Sequence, residues 1–361
     1  MKLFLKFLAV FLIGLLIGLF WPTFRGKYLS KYFQTEKEVA PENHFNLSKD
    51  DAAYLVWWDQ DNGFSDLKEH YDQVNYLKPF WYEVKEDGSL KKFSGSGNPE
   101  IIKFCQDKMI KILPVISNEQ DPDRLDQILS DAAVQAKHIE NIINLINENG
   151  YDGVEIDYES LKGSSDRTAY TAFMTALSEK LHQNNKILAT ALHAKESDKG
   201  TWEGPETQDW AALNEIADQL SIMTYDYHWS TSEAGDIAPL SWMRSVLNYA
   251  KTTLDPQKTY LGIHLYAYDW VDESANDLVY SDVAELINKY QPQIKTSEEG
   301  EKYFTYSKDE ENHTVYFADN ETIINRIQLV NEYNLAGISL WRLGQEDPKI
   351  WQTISNVLKT Y

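Results

Sequence analysis

From about Ala53 onward, short apolar runs alternate with longer stretches whose apolar residues recur every three or four positions. The short runs are AYLVWWD (53–59), NYLKPFWYEV (75–84), KILPVISN (111–118), DGVEIDYE (152–159), KILATALHA (186–194), QLSIMTYDYH (219–228), TYLGIHLYAYDW (259–270) and GISLWRLG (337–344). Several are continuously apolar, as parallel strands covered on both faces are. Between them, 123–149, 167–183, 210–217, 241–254 and 320–333 have helical periodicity. Asn149-Gly150 stops the first of these, and Asp347-Pro348 opens a last helix with a capping carboxylate and a proline at its first position. Eight strands, each followed by a helix, predict an α/β fold, the (β/α)8 TIM barrel, whose chemistry sits at the C-terminal ends of the strands. Residues 271–318 are too long for a simple loop. They hold a helix-like piece (281–289) and the strand-like pieces KYFTYS (302–307) and HTVYFA (313–318), and predict a small α+β insertion after strand seven.

The first residues follow another pattern. Residues 7–21 (FLAVFLIGLLIGLFW) are unbroken apolar sequence behind Lys2 and Lys6, and residues 3–24 reach bilayer-spanning length if Lys6 snorkels. This predicts a membrane-anchor helix over 1–24, an uncleaved signal anchor, followed by a polar stalk (25–46) and the barrel (47–361). The rival is a cleaved signal peptide, but Trp-Pro-Thr-Phe-Arg follows the run where a small-x-small site belongs. Arg25, Lys27 and Lys31 offset Lys2 and Lys6, so charge leaves the orientation open.

The formal net charge of −22 argues against a nucleic-acid partner, which needs a basic face. A neutral polysaccharide remains compatible, and 11 Trp and 22 Tyr exceed what a core alone requires. The single cysteine, Cys105, excludes an intrachain disulfide and reads as a small core residue. No HExxH or CxxC occurs and the histidines are scattered, so neither a metal site nor a cofactor is expected.

The most informative run is 152–159. Glu155, Asp157 and Glu159 stand at every second position, so in a strand they share one face, roughly 6.5–7 Å apart. Val154, Ile156 and Tyr158 face the other way. A row of acids repels itself and loses solvation on burial, and such a broken local rule marks a functional site. The plain alternative is an edge strand with a solvated acidic face.

The run DGVEIDYE resembles the signature of glycoside hydrolase family 18, Asp-Gly-x-Asp-x-Asp-x-Glu on the fourth barrel strand. Met223-Thr224-Tyr225-Asp226 resembles that family's strand-six motif, and Trp341 its strand-eight tryptophan. The order and spacing agree over about residues 50–361. Within the family the chain is most similar to the bacterial spore-lytic and cell-envelope N-acetylglucosaminidase branch, through LPVISN (113–118), YAYDW (266–270), HTVYF (313–317) and GISLWRLG (337–344). The Ser-x-Gly-Gly motif of typical chitinases does not occur, nor does a lysin-motif module. Glu155 stands where chitinases carry Asp.

The resemblance implies a retaining hydrolase of polysaccharides containing β-linked N-acetylglucosamine, such as chitin, peptidoglycan or an exopolysaccharide. Glu159 is then the general acid and base, with a pKa raised by its acidic neighbours and burial. Asp157 orients the 2-acetamido group that attacks its own anomeric carbon. Tyr225 donates to the acetamido oxygen, and Glu155 tunes the protonation of Asp157. Asp226 contacts the sugar or tunes the acid pair, and Trp341 stacks beneath the ring. Apart from the resemblance, Trp81, near a strand end, reads equally as core or substrate contact, and Tyr266 and Asp269 are further candidate substrate contacts. Simpler readings stand beside these. Trp57 and Trp58 read as core; His193, His228 and His264 as structural; and Tyr266, Asp269 and Trp270 pin the strand-seven loop if they do not line the cleft. Two other functions fit the motifs: a lectin-like barrel that binds chitooligosaccharides without cutting them, and an envelope scaffold with a disused site.

Overall fold

Eight strand positions close into a ring in the computed structural model, which describes residues 49–119, 121–344 and 346–358. The ring is β1 (Asp50–Val56), β2 (Tyr76–Val84), the pair β4 (Lys111–Ile112) and β5 (Val115–Ser117), β6 (Gly153–Asp157), β7 (Ile187–His193), β8 (Gln219–Met223), β9 (Thr259–His264) and β15 (Gly337–Trp341). Each pairs in parallel with the next, and β15 closes on β1 through the register Asp50↔Gly337 to Ala53↔Leu340. A Cβ at Gly337 would overlap the Asp50 carbonyl, so glycine is required where the ring closes. A short strand, β3 (Leu90–Lys92), hairpins back on β2. The third strand is split because Pro114 has no N–H to donate; its carbonyl still accepts from Glu155 N (3.0 Å).

Strand alternation separates two environments. Val154, Ile156, Leu77, Trp81, Leu220, Leu261 and Leu340 point outward into the helix layer and form the main apolar core. The other parity points into the barrel: Tyr54, Lys78, Glu155, Ser221 and Tyr260, with the small residues Ala189, Ala191, Gly262 and Ser339 beside them. These small side chains, on β7, β9 and β15, leave volume for the long polar ones.

The helix expected over 123–149 is broken. A 3-10 turn (Pro122–Leu125) and α3 (Asp126–Ser130) precede α4 (Ala132–Asn149), counting Gln60–His70 as α1 and Pro99–Lys108 as α2. The carboxylate of Asp131 accepts from Ala133 N (2.8 Å) and Val134 N (3.2 Å), and this cap starts α4 afresh. Gly150 ends it with φ +69°.

The run 259–270 is not one strand. The barrel strand stops at His264, and Leu265 N donates to the Trp341 carbonyl (2.7 Å). The next residues form β10 (Ala267–Val271) in a second, antiparallel sheet with β11 (Ser274–Leu278), β12 (Lys295–Thr296), β13 (Lys302–Lys308) and β14 (Glu311–Phe317). The inserted unit therefore begins before residue 271. Its own core packs Phe304, Val315 and Phe317 against Val283 and Ile287 of the helix Tyr280–Tyr290.

The apolar run over 1–24 and the stalk over 25–46 lie outside the described residues. Among those described, no helix is long and apolar enough to cross a membrane.

Candidate active site

Glu155 and Asp157 are carried inward by β6, and Glu159 follows just past the strand end, where it is half-buried. Glu155 is fully buried. One of its carboxylate oxygens accepts from the Tyr54 hydroxyl of β1, and the other pairs with the Lys78 ammonium of β2. Lys78 Nζ also donates to Ser221 Oγ (2.7 Å). Asp157 and Glu159 are hydrogen-bonded to each other, with Asp157 the donor. Burial, then the charges of Glu159 and Glu155, hold Asp157 well above the usual carboxyl range. Burial and the charge of Asp226 push Glu159 up from 4.5 to about 7, against the Asp157 hydrogen bond. A carboxyl near 7 at the mouth of a barrel is suited to deliver and recover a proton.

The backbone of Glu159 is clamped. Asn118, fully buried after β5, accepts from Glu159 N (3.0 Å) and Ser160 N (3.4 Å) and donates to Ser160 O (2.6 Å). His193 Nε2, at the end of β7, donates to Glu159 O (3.0 Å). Tyr225 lies past β8, close enough to Asp157, Glu159, Asp226 and Glu155 for their charges, added to burial, to raise its phenol well above 10. Asp226 has φ +57°, a left-handed conformation uncommon outside glycine. Its carboxylate accepts from the hydroxyls of Tyr266 and Tyr268 (3.1 Å to Tyr268). Trp341 ends β15 half-buried, edge-on to Tyr54 (5.1 Å between ring centroids) and Phe80 (5.9 Å), and a cis peptide follows it.

Glu155, Asp157, Glu159, Tyr225, Asp226, Tyr266 and Trp341 thus gather at one end of the barrel. Two expected substrate residues do not. Trp81 has the opposite parity to Lys78 and Phe80, is fully buried in the helix layer, and donates from Nε1 to Gln60 Oε1 (2.7 Å). Asp269 is buried in the inserted unit, held by Tyr306 Oη (2.7 Å) and His313 Nδ1 (3.0 Å), so it pins the loop and does not line the cleft. Trp58 departs from the core reading: it sits in a 3-10 turn (Trp57–Asp59) and is 51% exposed. Trp202, Tyr227 and Trp229 are also exposed, on loops after β7 and β8.

Sequence reasoning passes over Asn118, Lys78 and Tyr54, and sets His193 aside as structural. Lys78 carries a signal, since a lysine inside an otherwise apolar strand breaks the pattern as the acid row does. Among the described residues, no group of three or more His, Cys, Asp or Glu side chains is placed to hold a metal ion.

Paired carboxyls at the C-terminal end of the fourth strand of a parallel eight-stranded barrel suit a glycoside hydrolase. The profile of Glycosyl hydrolases family 18 matches residues 54–346, and the chain belongs to that family. It is 30% identical over 292 residues to the cortical fragment-lytic enzyme of Bacillus anthracis, covering 78% of this chain and 67% of that one. It is 25% identical over 304 residues to the uncharacterized glycosylase YvbX of Bacillus subtilis, covering 81% and 87%. Among solved structures, the Bacillus cereus spore cortex-lytic enzyme SleL superposes with a TM-score of 0.79 at 27% identity, covering 85% of this chain and 74% of that one. A chitinase from Chromobacterium violaceum shares the fold with a TM-score of 0.81 at 23% identity, covering 87% and 100%.

Proposed function

We propose that the chain hydrolyses polysaccharides containing β-linked N-acetylglucosamine with retention of configuration, using the substrate's own acetamido group as nucleophile. The carrying observation is the hydrogen-bonded Asp157–Glu159 pair, with Glu159 pushed up to about 7 and Tyr225 beside it. The proton that Asp157 shares passes to Glu159, leaving Asp157 a carboxylate, and Glu159 gives it to the leaving glycosidic oxygen as the acetamido oxygen bonds to the anomeric carbon, closing a five-membered oxazolinium ring. Asp157 holds the acetamido N–H and offsets the positive charge; Tyr225 donates to the acetamido oxygen. Water, deprotonated by Glu159, then opens the ring from the face the leaving group vacated, so the original configuration returns. Trp341 is the floor of the sugar site, and Asp226 with its two tyrosines holds a hydroxyl. Trp58, Trp202, Tyr227 and Trp229, exposed on neighbouring loops, suit stacking by further sugars of a long chain.

The names of the relatives make spore-cortex peptidoglycan and its fragments the first substrates to try. The apolar N-terminal run supports anchoring in a membrane, and a barrel on the extracytoplasmic side would meet such polymers. The test is a product analysis by mass spectrometry and anomeric NMR on peptidoglycan, chitooligosaccharides and an N-acetylated exopolysaccharide. Each is compared with its de-N-acetylated form. Release of the β-anomer from the acetylated polymer alone is the expected result; equal cleavage of the de-N-acetylated form would overturn the acetamido route. Fractionation of cells producing the full chain tests the anchor: recovery in the soluble fraction refutes it.

A further inference from the structure

We propose that Lys78 is a positioning residue of this reaction: it holds Glu155 as a carboxylate beneath the acid row, so that the exchangeable proton is confined to Asp157 and Glu159. The inference rests on the proposed mechanism and adds a residue to it.

The geometry carries the argument. Lys78 lies in the middle of β2 and is fully buried, as is Glu155. Its ammonium bonds Ser221 Oγ and pairs with Glu155, while the rings of Tyr54 and Tyr260 flank it at 5.6 Å each. The second carboxylate oxygen of Glu155 is taken by the Tyr54 hydroxyl. Both oxygens of Glu155 therefore face donors, and a proton on either would set two donors against each other. Asp157 is left with one carboxyl to donate to, and that is Glu159.

Stability is a poor reason for this pair. A buried ion pair is commonly matched or exceeded by an apolar pair of the same volume, whereas removing one partner strands a charge. The longer Glu also gains a purpose. Its carboxylate, carried on the longer side chain from β6, meets the Lys78 ammonium of β2 and the Tyr54 hydroxyl of β1. The groups that face Glu155 are Tyr54 from β1, Lys78 from β2, Asp157 on its own strand and Tyr225 after β8, with Glu159 and Asp226 beyond. Lys78 alone among these supplies a positive charge.

Three variants test the inference, Lys78→Met, Glu155→Gln and the double change, each followed by the pH profile of kcat and kcat/KM and by thermal denaturation. In Lys78→Met the carboxyl of Glu155, without its cation, takes up a proton and competes for Asp157. The alkaline limb of the profile is expected to move by about one pH unit or more, and kcat to fall about tenfold or more with KM little changed. In the double variant the charges leave together, and the limb returns most of the way to wild type. An unmoved limb in a folded Lys78→Met protein overturns the proposal, and so does a double variant whose limb stays fully displaced. If Lys78→Met does not fold, the intact protein answers by carbon-13 NMR with labelled glutamate. The signal removed by Glu159→Gln should titrate near 7, and the carboxyl signal that Glu155→Gln removes should not move with it. Joint titration of the two signals refutes the role of Lys78. This readout needs no turnover, so failure to cut N-acetylated glycans would count against the mechanism and leave the Lys78–Glu155 result standing.

Discussion

Replacing Glu159 by Gln removes one ionisable proton and little else, and its consequences extend beyond lost turnover. In the folded protein Glu159 is raised from 4.5 to about 7 by burial and by Asp226. The unfolded chain releases this proton near 4.5. Between these two values the folded state binds more protons, so its stability falls as pH rises and levels off above about 7. A tenfold difference in proton affinity between the folded and unfolded chain is worth about 1.4 kcal/mol, so the full effect is about 3 kcal/mol, reduced to about 2 kcal/mol by solvent screening at the partly open barrel mouth. Burial keeps Asp157 raised in both proteins, but the variant loses the Glu159 charge that helps to raise it, and this relaxation adds to the variant's advantage at high pH. Glu159→Gln should therefore match wild type in stability near pH 4 and exceed it by about 2 kcal/mol near pH 8. Urea denaturation across that range, read as the difference in unfolding free energy at each pH, measures this directly. Wild-type kcat/KM should fall roughly tenfold per pH unit above about 7 as the acid is lost, while Glu159→Gln is inactive at every pH. A stability difference that does not change with pH refutes the origin assigned to the raised pKa. Wild-type-like turnover by the variant removes Glu159 as the acid.

Asn118→Ala unclamps the backbone at Glu159 and Ser160 and should lower kcat on the order of tenfold to a hundredfold, through misplacement of the acid, with a smaller change in KM. Steady-state kinetics decides, and unchanged kcat would refute the positioning role. Trp341→Ala should weaken kcat/KM by at least about tenfold through loss of the sugar floor, whereas Trp81→Phe should leave kinetics unaltered and cost about 1 kcal/mol for the lost bond to Gln60. A kinetic defect in Trp81→Phe would return that residue to the cleft. Glu301 is fully buried, accepts from Ile237 N (2.7 Å) and Ala238 N (3.3 Å), and pairs with His264 and Arg326. Glu301→Ala should lower the unfolding free energy by about 3–5 kcal/mol, because it strands the Arg326 charge; near-native stability in urea would contradict this.

The eight strands, the acid row, Tyr225, Asp226 and Trp341 are legible along the chain because each is a local fact: an apolar run, a two-residue repeat, a short motif. Strand alternation alone puts Glu155 and Asp157 on one face and Val154 and Ile156 on the other. Alternation does not say which face is the barrel interior, and Trp81 is misplaced by sequence reasoning for that reason. Nor does local pattern show where a strand leaves one sheet for another. Residues 259–270 read as one continuous strand, yet pairing with β11 and β14 carries Ala267–Val271 into the second sheet, where Asp269 is buried against His313. The partners of the site lie farthest from sequence reasoning. Lys78 and Ser221 are 143 residues apart, Tyr54 and Glu155 are 101 apart, and Asn118 reaches Glu159 across 41. A pairing at such separation is set by the closure of the ring and by which inward positions are small enough to leave room. Those quantities belong to the packed barrel and to no single segment of it.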